Sequence, residues 1–126
     1  MKKRPVLLDS SVWIEILNSG PKHLKCQKEF DHAERIIVPM TVIFEVYRKL
    51  ASLLSEDQAL SGITILLKHE IKDLTQEVAL TAADLSLQHK LAMADSLILS
   101  HAKMTEALFV TMDNDFSGLE DVIVIR

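Results

Sequence analysis

Short runs of apolar residues that do not alternate with polar ones constrain the fold of this chain more than any other feature. Strands that are buried on both faces have this pattern, and such strands occur in parallel sheets covered by helices. The predicted strands are Pro5–Leu8, Arg35–Val38, Glu70–Leu74, Leu108–Thr111 and Val122–Ile125. The pattern therefore predicts a three-layer α/β fold with a central, mostly parallel sheet.

Amphipathic segments separate these strands and are predicted to be helices. The predicted helices are Ser10–Ser19, 22–34, Thr41–Leu54, Glu56–Leu67, Thr75–His89 and Ala92–Met104. No linker, repeat or low-complexity tract interrupts the 126 residues, so we expect one domain spanning 1–126.

Composition excludes several classes of protein. The single cysteine, Cys26, excludes an intramolecular disulfide framework and favours a reducing, cytoplasmic location. No apolar run is long enough to span a bilayer, so we expect no membrane partner. The net charge of -4 argues against a protein that coats nucleic acid through bulk positive charge. An enzyme that meets nucleic acid through bound cations remains compatible with this charge.

Acidic residues stand at the ends of the predicted strands and within two helices. Asp9 follows the first strand, and Asp113 and Asp115 follow the fourth. Asp95 opens a helix, and Glu45 lies within an apolar helical segment. Carboxylates gathered at one sheet edge repel one another unless a cation holds them. Oxygen ligands of this kind suit Mg²⁺ or Mn²⁺, which can promote hydrolysis of a phosphodiester.

Each acid alone also has an ordinary structural interpretation. Asp9 could cap a helix, and Asp95 could interact favourably with a helix dipole. Glu45 could pair with Lys49 one turn later, and the Asp113–Asp115 segment could form a simple turn. Only their joint placement at one edge of the sheet favours a shared site.

Four segments of the sequence, taken in order, resemble the signature blocks of the PIN-domain family. They are Leu7–Glu15 (LLDSSVWIE), Glu45 in its apolar helix, Met93–Ile98 (MADSLI) and Val110–Phe116 (VTMDNDF). The chain length is similar to that of VapC-type toxins of toxin–antitoxin pairs. The resemblance implies a five-stranded parallel sheet between helices and an Mg²⁺- or Mn²⁺-dependent endoribonuclease that uses metal-activated water.

The resemblance also implies roles for individual residues. It places catalytic acids at Asp9, Glu45, Asp95 and Asp113, a further metal ligand at Asp115, and supporting hydroxyls at Ser10 and Thr111. One block departs from the family, because many members have a glycine-containing turn before the third acid. Here that segment is His89–Ala94 (HKLAMA), without glycine.

The resemblance implies partners as well as an activity. VapC-type members cleave RNA, usually form homodimers, and are held inactive by a small antitoxin through which the complex binds operator DNA.

Two alternatives remain open from the residues themselves. One is a PIN-like binding module without catalysis, and the other is a receiver-like phosphoacceptor that uses Asp9 with Mg²⁺.

The helices within Thr41–Leu67 contain more apolar residues than one core-facing stripe requires. We therefore expect these helices to form a partner groove or a dimer face. The aromatic residues Trp13, Phe44 and Tyr47 are predicted to pack in the core.

Overall fold

The predicted three-layer α/β architecture is confirmed by the computed structural model, which describes residues 3–126. Residues 1 and 2 of the predicted domain lie outside the described residues. The strands are β1 (Val6–Leu8), β2 (Ile36–Pro39), β3 (Glu70–Lys72), β4 (Leu108–Thr111) and β5 (Val122–Val124). The helices are α1 (Ser10–Leu17), α2 (His23–Asp31), α3 (Met40–Leu53), α4 (Glu56–Leu66), α5 (Gln76–His89) and α6 (Met93–Met104).

The five strands form one sheet in the order β3-β2-β1-β4-β5, and all four neighbouring pairs are parallel. The chain first adds β2 and β3 on one side of β1, and then returns to add β4 and β5 on the other. Because parallel crossovers are right-handed, this reversal places α5 and α6 on the opposite face from α1–α4. The strand order reverses between β1 and β4, where ligands bind in sheets of this type.

The core lies between the sheet and its two helical layers. The central strands are almost fully buried, and Trp13, Phe109 and Phe116 are the largest side chains with almost no exposure. Phe109 and Phe116 meet edge to face at 4.9 Å between ring centroids. Phe116 thereby anchors the segment after β4, which forms a 3₁₀ turn (Asn114–Phe116) that we did not predict.

Side-chain caps begin three of the six described helices. The Asp9, Ser55 and Thr75 side chains each accept a hydrogen bond from a backbone N–H at the start of α1, α4 and α5. Such caps satisfy donors that the first helical turn leaves free. Lys90 follows α5 with a left-handed backbone (φ 57°), so lysine makes the turn for which glycine is favoured.

Two of the three aromatic predictions agree with the structure. Trp13 is buried and Tyr47 packs partly against the core. The prediction for Phe44 is wrong, because 65% of this residue is exposed. Its neighbours Val42 and Val46 take the core-facing positions of α3, and Phe44 lies about 200° around the helix from each.

Several apolar residues of α3 and α4 are exposed, in line with the excess of apolar residues in the sequence. They are Leu53, Leu54, Leu60, Ile65 and, just after α4, Leu67. Across residues 3–126, none of the helices is both long and apolar enough to cross a membrane.

Candidate active site

Parallel pairing of β1 with β4 brings the two ends of the sequence together. Leu8 pairs with Val110, and the Asp9 amide donates a hydrogen bond of 2.8 Å to the Val110 carbonyl. Asp9 and Thr111 therefore stand side by side where the two strands end. The acids that follow β4, Asp113 and Asp115, project from the same edge of the sheet.

Asp9 is held in a dense set of hydrogen bonds although it is buried. The Ser10 backbone N–H donates to Oδ1 at 2.8 Å, and the Thr111 hydroxyl donates to Oδ2 at 2.7 Å. The Ser10 and Ser11 hydroxyls are each at 3.5 Å from a carboxylate oxygen. Burial raises the pKa of Asp9, the hydrogen bonds from Thr111 and Ser10 oppose that rise, and the nearby Asp113 adds to it.

Asp95, Asp113 and Asp115 form a compact acidic cluster. One carboxylate oxygen from each lies within 4.8 Å of the others. Asp95 reaches this place from the first turn of α6, and the other two come from the turn after β4. The Asp113 carboxylate accepts from the Asp115 amide at 2.9 Å, which fixes the turn. Within residues 3–126, this is the one group of at least three His, Cys, Asp or Glu side chains that could share an ion.

Glu45 approaches the site from α3. Its Oε1 is buried and has no hydrogen-bond partner in the described part of the chain. Burial raises the pKa of Glu45, the Ser10 hydroxyl opposes that rise, and the Asp9 carboxylate adds to it. Glu45 and Asp9 are thus neighbours, although neither belongs to the compact cluster of Asp95, Asp113 and Asp115.

The negative charges of the other four acids all act on Asp95. Its pKa is raised to about 6, first by burial and then by the charges of Asp9, Asp113, Glu45 and Asp115. An acid with such a pKa binds a proton more readily than an ordinary aspartic acid, because ionisation adds a further negative charge to the site. A cation at this point would remove the repulsion.

The donor set fits a hard divalent ion. The site offers carboxylate oxygens, one of which is buried at Glu45 with no donor to satisfy it, and no sulfur or imidazole among the groups described. Mg²⁺ and Mn²⁺ prefer such oxygen ligands. Asp95, Asp113 and Asp115 could share an ion directly, and Asp9 and Glu45 lie close enough to interact with its charge.

The ordinary structural interpretations explain only part of how these acids are placed. Asp9 does cap α1, but its other oxygen faces Thr111, so capping does not account for the whole side chain. Glu45 forms no ion pair with Lys49 among the described residues. The Asp113–Asp115 segment does form a turn, and that turn is what directs both acids toward Asp95.

Three residues near the site have contacts that the sequence did not indicate, although Lys49 was considered as an ion-pair partner of Glu45. The Ser11 hydroxyl accepts from the Met112 amide at 3.2 Å and therefore ties α1 to the end of β4. Arg48 and Lys49 line a groove that begins at Ser10 and Glu45. Their spacing of three and four residues from Glu45 is a signal that would have placed them on the neighbouring surface of the same helix.

Comparison with known proteins gives a family and a fold. A family-level match to the PIN domain covers residues 6–122. No curated protein sequence matches this chain.

Solved structures of similar fold cover almost the whole chain. A toxin–antitoxin complex from Klebsiella pneumoniae matches with a TM-score of 0.80 at 21% identity, over 94% of this chain and 96% of that one. VapBC2 from Rickettsia felis, bound to a DNA fragment from its promoter, matches at 0.75 and 20% identity, covering 96% and 97%. Mycobacterium tuberculosis VapC20, described as a toxin that cleaves the sarcin–ricin loop, matches at 0.77 and 16% identity, covering 93% and 98%.

Proposed function

The chain belongs to the PIN domain family, and from this membership and the geometry of the acidic site we propose that it is a divalent-metal-dependent endoribonuclease. We propose further that it is a cytoplasmic, VapC-type toxin forming one domain over 1–126. Its reaction would be hydrolysis of an RNA phosphodiester, leaving a 5′-phosphate and a 3′-hydroxyl.

One observation carries this proposal. Carboxylates from α6 and from the turn after β4 lie close together at the edge of the sheet where the strand order reverses. Oxygens of Asp95, Asp113 and Asp115 lie within 4.8 Å of one another, and the raised pKa of Asp95 reflects the crowding of charge. Structural acids on a surface gain nothing from such crowding, whereas metal ligands require it.

The chain's own residues have distinct roles in this proposal. Asp95, Asp113 and Asp115 would hold Mg²⁺ or Mn²⁺, and Asp9 and Glu45 would complete the negative environment. Thr111 and Ser10 orient Asp9 through hydrogen bonds. When bound, the ion would make a water molecule more nucleophilic and would neutralise the charge that develops on the leaving oxygen.

The phosphoacceptor alternative fits the structure poorly. A phosphoacceptor aspartate must expose a carboxylate oxygen to its phosphodonor. Only 5% of Asp9 is exposed, and both of its oxygens accept hydrogen bonds. The non-catalytic binding module shares this fold, and the cleavage test below distinguishes it.

We propose an antitoxin as the protein partner, because solved structures of similar fold come from toxin–antitoxin assemblies. An apolar depression of about 360 Å³ between α1, α3 and α4, lined in part by Leu17, Leu54 and Ile65, offers a surface for it. Operator DNA would be bound only through that antitoxin. A homodimer is proposed as well, and sedimentation of the purified chain would test it.

The decisive experiment is cleavage of a labelled single-stranded RNA by the purified full chain. We expect cleavage with Mg²⁺ or Mn²⁺, none in excess EDTA, and none by Asp9→Asn, which replaces a carboxylate with an amide of nearly the same shape. Asp84→Asn, an exposed acid on α5, should cleave like the wild type. Cleavage by Asp9→Asn or in EDTA would reject the proposal, and a wild type inactive on every RNA tested would favour the binding module.

A further inference from the structure

A groove of about 790 Å³ extends from the acidic site along α3. Its lining includes Ser10, Ser11, Phe44, Glu45, Arg48 and Lys49. Because Ser10 and Glu45 belong to both, a molecule lying in the groove would also reach the acids. The groove is thus an extension of the candidate active site along one surface of the protein.

Phe44 is an aromatic ring placed on this surface without a role in the core. It is 65% exposed, whereas the residues two positions before and after it, Val42 and Val46, are fully buried. A large apolar ring that stays exposed to water does not contribute the stabilisation that its burial would give. Aromatic rings exposed beside a nucleolytic site provide faces on which unpaired bases stack.

Arg48 and Lys49 add positive charge to the same groove. Arg48 is one helical turn from Phe44, at i+4, so the two side chains lie on one face of α3. Both cations are exposed, and neither forms an ion pair within residues 3–126. Along the helix axis, Arg48 lies about 4.5 Å and Lys49 about 6 Å from Glu45.

We propose that this groove is a nucleotide-binding subsite in which an unpaired base stacks on Phe44 while Arg48 and Lys49 contact the adjoining phosphates. This inference rests on the proposed ribonuclease function and deepens it. The subsite holds single-stranded RNA so that the next phosphodiester lies over the acids. It selects single strands because, within a duplex, neighbouring stacked bases cover the faces of each base and leave none for Phe44.

Charge favours RNA over a protein segment as the occupant. The cations stand next to a strongly acidic cluster, and a polyanion contacts the cations directly while its phosphates reach the acids together with a divalent ion. A peptide would need basic and acidic side chains in matching order to do the same. A protein partner in the same groove is the competing outcome of the test.

The first test measures stacking without cleavage. Phe44→Trp in an Asp9→Asn background places an exposed indole in the groove, while Trp13 stays buried as an internal reference. Titration with short single-stranded oligoadenylate in Mg²⁺ should quench the new emission, and a duplex RNA of the same length should not. Absence of quenching at saturating oligonucleotide would overturn the stacking interaction.

The second test measures affinity by anisotropy of the same labelled oligonucleotide. Phe44→Ala and the double variant Arg48→Ala/Lys49→Ala should each weaken binding about tenfold. The double variant should also reduce the dependence of binding on salt, since two phosphate contacts are lost. Leu87→Ala on α5 and Lys103→Ala on α6 are exposed controls outside the groove and should bind like the parent protein.

The outcomes separate this inference from the proposed function. Unchanged affinity in both groove variants would overturn the subsite, even if the wild type cleaves RNA, and would leave the groove to a protein partner. If the wild type binds RNA through Phe44 and the cations but never cleaves it, the subsite stands and the ribonuclease proposal fails. In an active enzyme, the groove variants should raise KM more than they lower kcat.

Discussion

The Thr111 hydroxyl connects Asp9 to Asp113. It donates to Asp9 Oδ2 at 2.7 Å, and its oxygen accepts from the Asp113 amide at 3.0 Å. Thr111 is fully buried, so water cannot replace either bond. One hydroxyl therefore sets both the orientation of the first acid and the start of the turn that bears the last two.

Thr111→Val should lower both stability and metal affinity. Valine has the shape of threonine but leaves a buried carboxylate oxygen and an amide without partners, at a cost of about 1–2 kcal/mol in the free energy of unfolding. Mn²⁺ affinity, measured by calorimetry, should fall because Asp9 and the acidic turn are no longer aligned. Thr111→Ser, which keeps the hydroxyl, should restore most of both.

Ser100→Ala is the matched control for that variant. The Ser100 hydroxyl is also buried, and it donates to the Val78 carbonyl at 2.9 Å, between α6 and α5. Its loss should lower stability to a similar degree but leave Mn²⁺ affinity unchanged. If Ser100→Ala and Thr111→Val lowered metal affinity equally, Thr111 would have only a structural role.

Asp95→Asn should stabilise the metal-free protein. The wild-type carboxylate is partly buried and repelled by four other acids, and the amide removes that repulsion. In EDTA near neutral pH, the variant should therefore unfold at a higher temperature than the wild type. Mn²⁺ should raise the melting temperature of the wild type much more than that of the variant, because the variant has lost a ligand. An equal rise in both would exclude Asp95 as a ligand.

The stability of the metal-free protein should depend on pH through Asp95. The folded-state pKa of about 6 exceeds the ordinary value of 3.8, so the folded state binds the proton more tightly than the unfolded state does. This contribution is complete below about pH 4 and is lost as pH rises through about 6. His69 and His101 act in the opposite direction, because burial lowers their pKa values.

Asp9 and Glu45 act in the same direction as Asp95, because burial raises their pKa values too. The comparison of wild type with Asp95→Asn reports the Asp95 contribution, since both proteins contain Asp9, Glu45 and the histidines. In EDTA, the melting temperature of the wild type should fall below that of the variant increasingly between about pH 4 and about pH 7. A difference that stays constant over this range would show that Asp95 titrates normally.

Lys90→Gly should stabilise the fold. Lys90 ends α5 with φ 57°, a left-handed backbone that costs an L-residue about 1–2 kcal/mol and glycine almost nothing. After allowing for the greater freedom of glycine in the unfolded chain, we expect a gain of about 0.5–1 kcal/mol in chemical denaturation. Ala79→Gly, exposed within the same helix, should instead lose about 1 kcal/mol. A loss at both positions would contradict this explanation of the turn before Asp95.

Sequence alone predicted most of the elements because their signals are local. Unbroken apolar runs marked β1, β2, β4 and β5, and amphipathic segments marked the six described helices to within a few residues of their ends. A turn at Asp113–Asp115 was among the interpretations of the sequence, but its 3₁₀ form was not, because Phe116 in this segment packs against Phe109 in the core. That contact attaches the turn to the core, and the sequence of the turn itself does not indicate the contact.

The site was predictable as a set of residues but not as a geometry. Strand ends indicated Asp9, Asp113 and Asp115, yet the compact arrangement around Asp95 depends on how α6 packs behind the sheet. The exposure of Phe44 could have been predicted, since Val42, Val46 and Leu50 recur every four residues and define the buried side of α3. The groove beside it required the structure, because residues of α1, α3 and the end of β4 line it together.

The hydrogen bond from Thr111 to Asp9 spans 102 positions of the chain. A ribosome making this protein must therefore synthesise residues 9–111 before the two strand ends can meet. Until then the nascent chain lacks the acidic turn after β4 and the pairing of β1 with β4. A polypeptide that stops before Thr111 would therefore lack the acidic cluster and, in our proposal, the nuclease activity.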